Sequence, residues 1–148
     1  ERLGDRPWKR LLASHREDVR GLLETHRGRE VGTTGDGFLA IFDAPARAIT
    51  CAIAISVSAR KLGIGVRAGV HTGEVEVAGG DIHGLAVHLA ARIMGAAGAG
   101  EVFVSSTSRE LATGAGVEFM DRGNHELKGI SGARQLYEAS SSRASATG

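Results

Sequence analysis

Two stretches of the chain carry residue types and spacings that could do chemistry. The first runs from Val31 to Phe42 and reads Val-Gly-Thr-Thr-Gly-Asp-Gly-Phe-Leu-Ala-Ile-Phe. β-prone residues flank Gly35-Asp36-Gly37, a core that favours positive φ, so the stretch predicts a tight hairpin with one carboxylate at its tip. A carboxylate between glycines can be approached closely by a hydrated Mg²⁺ and a polyphosphate, because no neighbouring Cβ obstructs them. Asp-Gly is also good turn chemistry for backbone reasons alone. Taken by itself, the stretch leaves Asp36 as a turn residue or a metal ligand.

The second stretch is Asp81-Ile-His-Gly84-Leu-Ala-Val87-His88-Leu-Ala90-Ala-Arg92. His88 and Arg92 are four apart on a predicted helix and share one face, with Asp81 in the loop that enters it. A guanidinium fork there suits a phosphate whose charge grows during reaction. The plainer alternative is a surface cation beside a capping or solvated imidazole.

Around these stretches the chain must supply elements that hold them. Trp8, Leu11, Leu12, Val19, Leu22 and Leu23 recur with helical period, which predicts one amphipathic helix over Arg6 to Arg27, with Pro7 in its first turn after Asp5. His15 and His26 lie on or beside its apolar stripe, without a second ligand at i+4, and are expected to be packed or solvated. After the hairpin, Pro45 opens a second helix that Gly63 stops. Ile64 to Ala78 alternates around His71-Thr72-Gly73-Glu74 and reads as two strands or one bent strand. A turn at Gly79-Gly80-Asp81 leads to a third helix, Leu85 to Ala97, rich in small residues. Then follow a buried strand over Glu101 to Ser105, a brief helix over Thr107 to Leu111, and strands over Glu118 to Leu127 and Gln135 to Ala139. From Ser140 the composition predicts a disordered tail. Helices alternating with strands argue for an α/β or α+β sandwich of helices on a sheet.

With 148 residues, the chain suits one domain with a sizeable core. A net charge of +1 with no gathered basic patch argues against nucleic acid as a partner. Cys51 is the sole cysteine, so no intrachain disulfide can form, and a reducing, cytoplasmic setting is expected. The apolar run Ile49 to Val57 is far short of the ~20 residues that span a bilayer, and the polar N-terminus has no signal-peptide core. The chain begins with Glu1 rather than Met, so further domains in a longer parent polypeptide are expected.

Thr-Thr-Gly35-Asp36-Gly37-Phe38, Asp81-x-x-Gly84-x-x-Val87-x-x-Ala90-x-Arg92 and Leu127-Lys128-Gly129 together resemble the catalytic domain of class III nucleotide cyclases, bacterial adenylate cyclases in particular. His71-Thr72-Gly73-Glu74 and Gly100-Glu101-Val102 resemble the family's strand motifs, and the likeness runs from Gly4 to Ala139. It implies a ferredoxin-like βαββαβ core with additions over residues 1–139, and a head-to-tail homodimer with ATP in the groove between subunits. By the same likeness, two Mg²⁺ or Mn²⁺ ions per site would lower the pKa of the ribose 3′-hydroxyl and stabilise the charge on the α-phosphate and the departing pyrophosphate. Asp36 matches the second metal aspartate, Arg92 the residue that stabilises the transition state, and Lys128 the lysine on the terminal phosphates. Asp81 matches the acceptor for the adenine amino group; a carboxylate there would be repelled by the guanine carbonyl, so ATP is favoured over GTP.

The chain departs from the family at three places. Gly32 stands where a base-reading lysine is expected, four residues before Asp36, and His88 where an asparagine orients the ribose. The first strand, with its metal aspartate, should precede Arg6, where only Glu1 to Asp5 stand. The resemblance therefore supports an adenylate cyclase domain that makes cyclic AMP, and alternatively a degenerate cyclase module that binds nucleotide weakly or serves to dimerise. A metal hydrolase using His71, Glu74, His83 and His88 fits no standard zinc spacing. A P-loop enzyme is excluded by the absence of Gly-x-x-x-x-Gly-Lys.

Overall fold

The computed structural model describes residues 2–34, 37–78 and 81–141. Helix α1 spans Arg2–Thr25 and so begins before the expected Arg6, which places Pro7 inside it. Proline already holds a helical φ, and its missing N–H removes a single bond close to the helix end, so the helix continues past it. α1 ends with Arg27 at φ 62, Arg27 N–H on the Glu24 carbonyl and Gly28 N–H on the Leu23 carbonyl. A left-handed residue in such a cap is ordinarily glycine. Here the glycine stands one residue later because a methyl on Gly28 would lie 2.5 Å from the Phe42 ring.

β1 (Arg29–Thr34) and β2 (Gly37–Ile41) form the expected antiparallel hairpin, its last described pair Thr34 with Gly37, with a bulge between Glu30 and Gly32. α2 (Pro45–Lys61) follows, closed by Gly63 at φ 80 with Ile64 N–H on the Ala59 carbonyl. One side of α2 presents Cys51 to Val19 and Leu23 of α1, with Phe38, Ala40 and Phe42 beneath. Its other side buries Ile49, Ala52 and Ile53 against Val70, Val102 and Val104.

Those valines belong to β3 (Ala68–Val70) and β6 (Val102–Ser105), which pair in parallel within a mixed sheet ordered β3-β6-β8-β7, with β7 at Val117–Glu126 and β8 at Ala133–Ser141. The two-residue period of a strand sends Val102 and Val104 to the α2 face and Phe103 to the other. There Phe103, Leu127 and Leu136 meet Leu89 and Ile93 of α3 (Leu85–Ala96). The sheet is thus sandwiched, with α2 over one face and α3 over the other, α1 packs on α2 and the β1–β2 hairpin, and the short α4 (Ser106–Leu111) caps the end of β6. This is the mixed α+β architecture expected. β2 pairs only with β1 and β3 only with β6 among the described residues, so each strand keeps one unpaired edge.

Two expectations change. Asp81 is not in a loop: β4 (Glu76–Ala78) and β5 (Asp81–His83) form a separate antiparallel hairpin, because the Val75 to Ala78 run finds a partner just before the helix. The tail does not start at Ser140, since Ser140 and Ser141 pair with Glu118 and Val117 as the ladder extends β8; residues 142–148 lie outside the described ones.

Among the described glycines, Gly69 on β3 is approached most closely: a methyl there would stand 2.4 Å from the Met94 nitrogen and 2.5 Å from the Ala90 carbonyl oxygen. Those neighbours are helix backbone and cannot give way. Gly69→Ala is expected to lower stability by about 3 kcal/mol, the upper end of overpacking costs. Gly21→Ala, in α1 with nothing within 4 Å of the added methyl, should raise it by about 0.5–1 kcal/mol through helix propensity. Urea unfolding of both variants checks the pair; equal midpoints would contradict this account of the α3 contact.

Candidate active site

The start of α3 gathers most of the residues singled out from the sequence. α3 is seated by Leu89 and Ile93 in the core, which leaves His88 and Arg92, each one position earlier and four apart, half-buried together on one side. Leu127 is buried in the same cluster, and the chain then turns at once, with Ile130 N–H on the Leu127 carbonyl at 2.9 Å. Lys128 and Gly129 are the central residues of that turn, and Gly129 has φ 79, a conformation glycine adopts without penalty. The turn comes up against the helix: a methyl on Gly129 would lie 3.2 Å from His88 Nε2. Leu127-Lys128-Gly129 therefore works as a buried anchor, an exposed cation and a close-approach residue in succession. A cavity of about 470 Å³ opens beside it, lined by Glu126, Leu127, Lys128, Ile130 and Gly132.

Arg92 Nε is buried and has no hydrogen-bond partner among the described residues. Leaving a guanidinium N–H desolvated and unpaired is costly.

Gly32 lies on β1 just past the bulge, opposite Leu39, and a methyl placed there meets nothing within 4 Å. β5, which carries Asp81, touches β1 within the same chain. The positions that the family resemblance assigns to reading the base are thus on neighbouring strands. Asp36 lies outside the described residues. Among the described residues no three His, Cys, Asp or Glu side chains come together to hold a metal. Cys51 is buried and its thiol is pushed up to about 11 by that burial, which makes it a poor nucleophile.

A neighbouring polar cluster was not legible as a unit in the sequence. His71 Nδ1 is 2.8 Å from Ser105 Oγ, Thr72 Oγ1 is 2.8 Å from Ser108 Oγ, and Ser105 Oγ accepts the Ser108 N–H at 3.2 Å to cap α4. Burial first, and then the nearby Arg134 guanidinium, hold the His71 imidazole below its usual pKa. The signal that could have suggested it is Ser105-x-x-Ser108 at the end of an apolar strand, a helix N-cap pattern.

The chain is similar to known proteins along most of its length. The family model described as adenylate and guanylate cyclase catalytic domain matches residues 7–139. A Rhizobium meliloti protein named "Putative adenylate cyclase 3" is 35% identical over 129 residues, which cover 81% of this chain and 22% of that protein. An uncharacterized protein of Mycobacterium tuberculosis is 32% identical over 99 residues, 65% of this chain and 34% of its own length. The chain thus spans only a fifth to a third of these relatives. Among solved structures, an adenylate/guanylate cyclase/hydrolase from Silicibacter pomeroyi superposes with a TM-score of 0.81 at 27% identity, over 90% of this chain and 84% of that one. The adenylyl cyclase CyaB from P. aeruginosa shares the fold, with a TM-score of 0.77 at 23% identity over 91% and 83% of the two chains. The half-buried His88 and Arg92 beside the Lys128 turn are therefore set in a domain that belongs to the adenylate and guanylate cyclase catalytic family.

Proposed function

We propose that this domain converts ATP to 3′,5′-cyclic AMP and pyrophosphate in intracellular signalling, at sites formed between two copies of the chain. The observation that carries the reading is Arg92 Nε, buried and without a hydrogen-bond partner among the described residues, on the helix face that His88 shares, with the Lys128 turn packed against that helix. In the reaction the ribose 3′-oxygen attacks the α-phosphorus, loses its proton, and displaces pyrophosphate. Arg92 would hold the charge that grows on the α-phosphate, and Lys128 the terminal phosphates. His88 would donate one hydrogen bond to the ribose in place of an amide. Asp81 would accept from the adenine amino group, beside the open space at Gly32.

Mg²⁺ or Mn²⁺, two per site, would neutralise phosphate charge and acidify the 3′-hydroxyl when bound. The hard oxygens of Asp36, between two glycines, suit such an ion, but one carboxylate is too few for two. Among the described residues β2 and β3 each keep one unpaired edge, to which a further strand could pair; in the resembled family such a strand brings the other aspartate. A second reading, a degenerate module that binds nucleotide weakly or serves to dimerise, is favoured by Gly32, where no side chain reaches for the base.

Three outcomes test the proposal. Cyclic AMP production from Mn²⁺·ATP should be very low for residues 1–148 and rise at least tenfold when the chain is extended upstream by a strand of roughly 5–10 residues and its loop. Equal turnover by the two would remove the argument from the open edges. In the extended chain, Arg92→Ala and Asp36→Ala should each lower kcat about 10²–10³-fold, and mixing the two variants should recover part of the activity through one intact heterodimer site. No recovery, with heterodimers shown to form, would count against shared sites. Asp81→Ala should reduce the preference for ATP over GTP in kcat/KM by about 1–3 kcal/mol; an unchanged ratio would take Asp81 out of base recognition.

A further inference from the structure

The His71 cluster touches none of the residues assigned to the nucleotide, yet it is built with some care. Ser108 is fully buried and Ser105 nearly so, and together with Thr72 and His71 they form a continuous chain of polar groups at the ends of β3 and β6. Ser105 Oγ already accepts the Ser108 N–H, so its own proton is free for His71 Nδ1 at 2.8 Å, a shorter reach than the 3.3 Å to Ser108 Oγ. That assignment requires a neutral imidazole, the form that burial favours. Satisfied buried networks of this kind select one arrangement of the elements they join.

The joined element here is the segment from His71 to Val75, and its far side rests on the start of α3. A methyl on Gly73 would come 3.0 Å from Ala86 Cβ. One on Gly84 would come 3.2 Å from the Glu74 carbonyl oxygen and 3.6 Å from Val75 Cα. The Gly84 carbonyl in turn accepts the N–H groups of Val87 and His88, so the residues that meet the segment also begin the helical turn that carries His88.

We propose that His71 and Thr72 are positioning residues: through Ser105 and Ser108 they hold the segment from His71 to Val75 against the first turn of α3, and so fix where His88 stands against Gly129. The inference rests on the reading of α3 as part of a nucleotide site, and it adds a dependence of that site on a polar network outside the residues assigned to the nucleotide.

The test uses the ¹⁵N-labelled full chain, with the His88 ring nitrogens followed by NMR and Mg²⁺·ATP affinity by calorimetry. His71→Phe keeps a ring but cannot accept from Ser105; it should shift the His88 resonances and raise Kd about three- to tenfold. His71→Asn, whose side-chain oxygen can take the Nδ1 position, should restore both. Gly73→Ala should reproduce the His71→Phe effect by pressing on Ala86, and Ala86→Gly in the same chain should relieve it. His88 resonances and Kd unmoved in His71→Phe and in Gly73→Ala, with only the unfolding midpoint lowered, would overturn the proposal and leave a merely structural network. If His71→Phe does not fold, the Gly73→Ala and Ala86→Gly pair decides by the same readouts. Failure of the unsubstituted chain to bind Mg²⁺·ATP would count against the proposed function instead, and the His88 resonances would still decide the positioning role.

Discussion

The arrangement depends on how closely α3 lies on β3. Only a residue without Cβ at position 69 lets the helix backbone at Ala90 and Met94 descend onto the strand. Once there, Leu89 and Ile93 reach Phe103 and Leu136 in the same layer, and Ala90 needs no space. The height and rotation of α3 are thereby set by backbone contact, which has no rotamers to adjust. His88 and Arg92 inherit their direction from that seat, since each precedes a buried residue by one position.

The same helix organises the loops that come to it. Leu127 joins the α3 cluster from the end of β7, and its burial brings the Lys128-Gly129 turn against His88. On the other side, the His71 to Val75 segment is held by Ser105 and Ser108 and meets the helix at Gly84 and Ala86. Three glycines at 73, 84 and 129 mark the points of approach, which gives the chain's abundance of glycine a physical use. Arg92 Nε is desolvated on the same helix, with no hydrogen-bond partner among the described residues.

α2 plays the corresponding part on the opposite face. It lies over the β1–β2 hairpin through Cys51 and over β3 and β6 through Ile49, Ala52 and Ile53. The helix thus ties together two sheets whose strands do not pair with each other among the described residues, where β2 and β3 each keep one unpaired edge. Unpaired strand edges invite pairing with further strands.

Local pattern carried a great deal. The pairing of β1 with β2, the Pro45 start and Gly63 stop of α2, and the four-residue spacing of His88 and Arg92 follow from turn chemistry and helical period. The family itself was legible because its motifs combine backbone needs with charged groups at fixed spacing. Tertiary structure decided what short-range rules cannot express. Asp81 became a strand residue because a partner strand was available to it, and Ser140 and Ser141 joined β8 because Glu118 and Val117 lay opposite. Arg27 took a left-handed conformation because the adjacent Gly28 was needed beneath Phe42. His71 met Ser105, thirty-four residues away in sequence, because two parallel strands ended side by side. Periodicity and turn chemistry report the conformation of a segment from its own residues, whereas these four outcomes depend on which distant backbone each segment packs against.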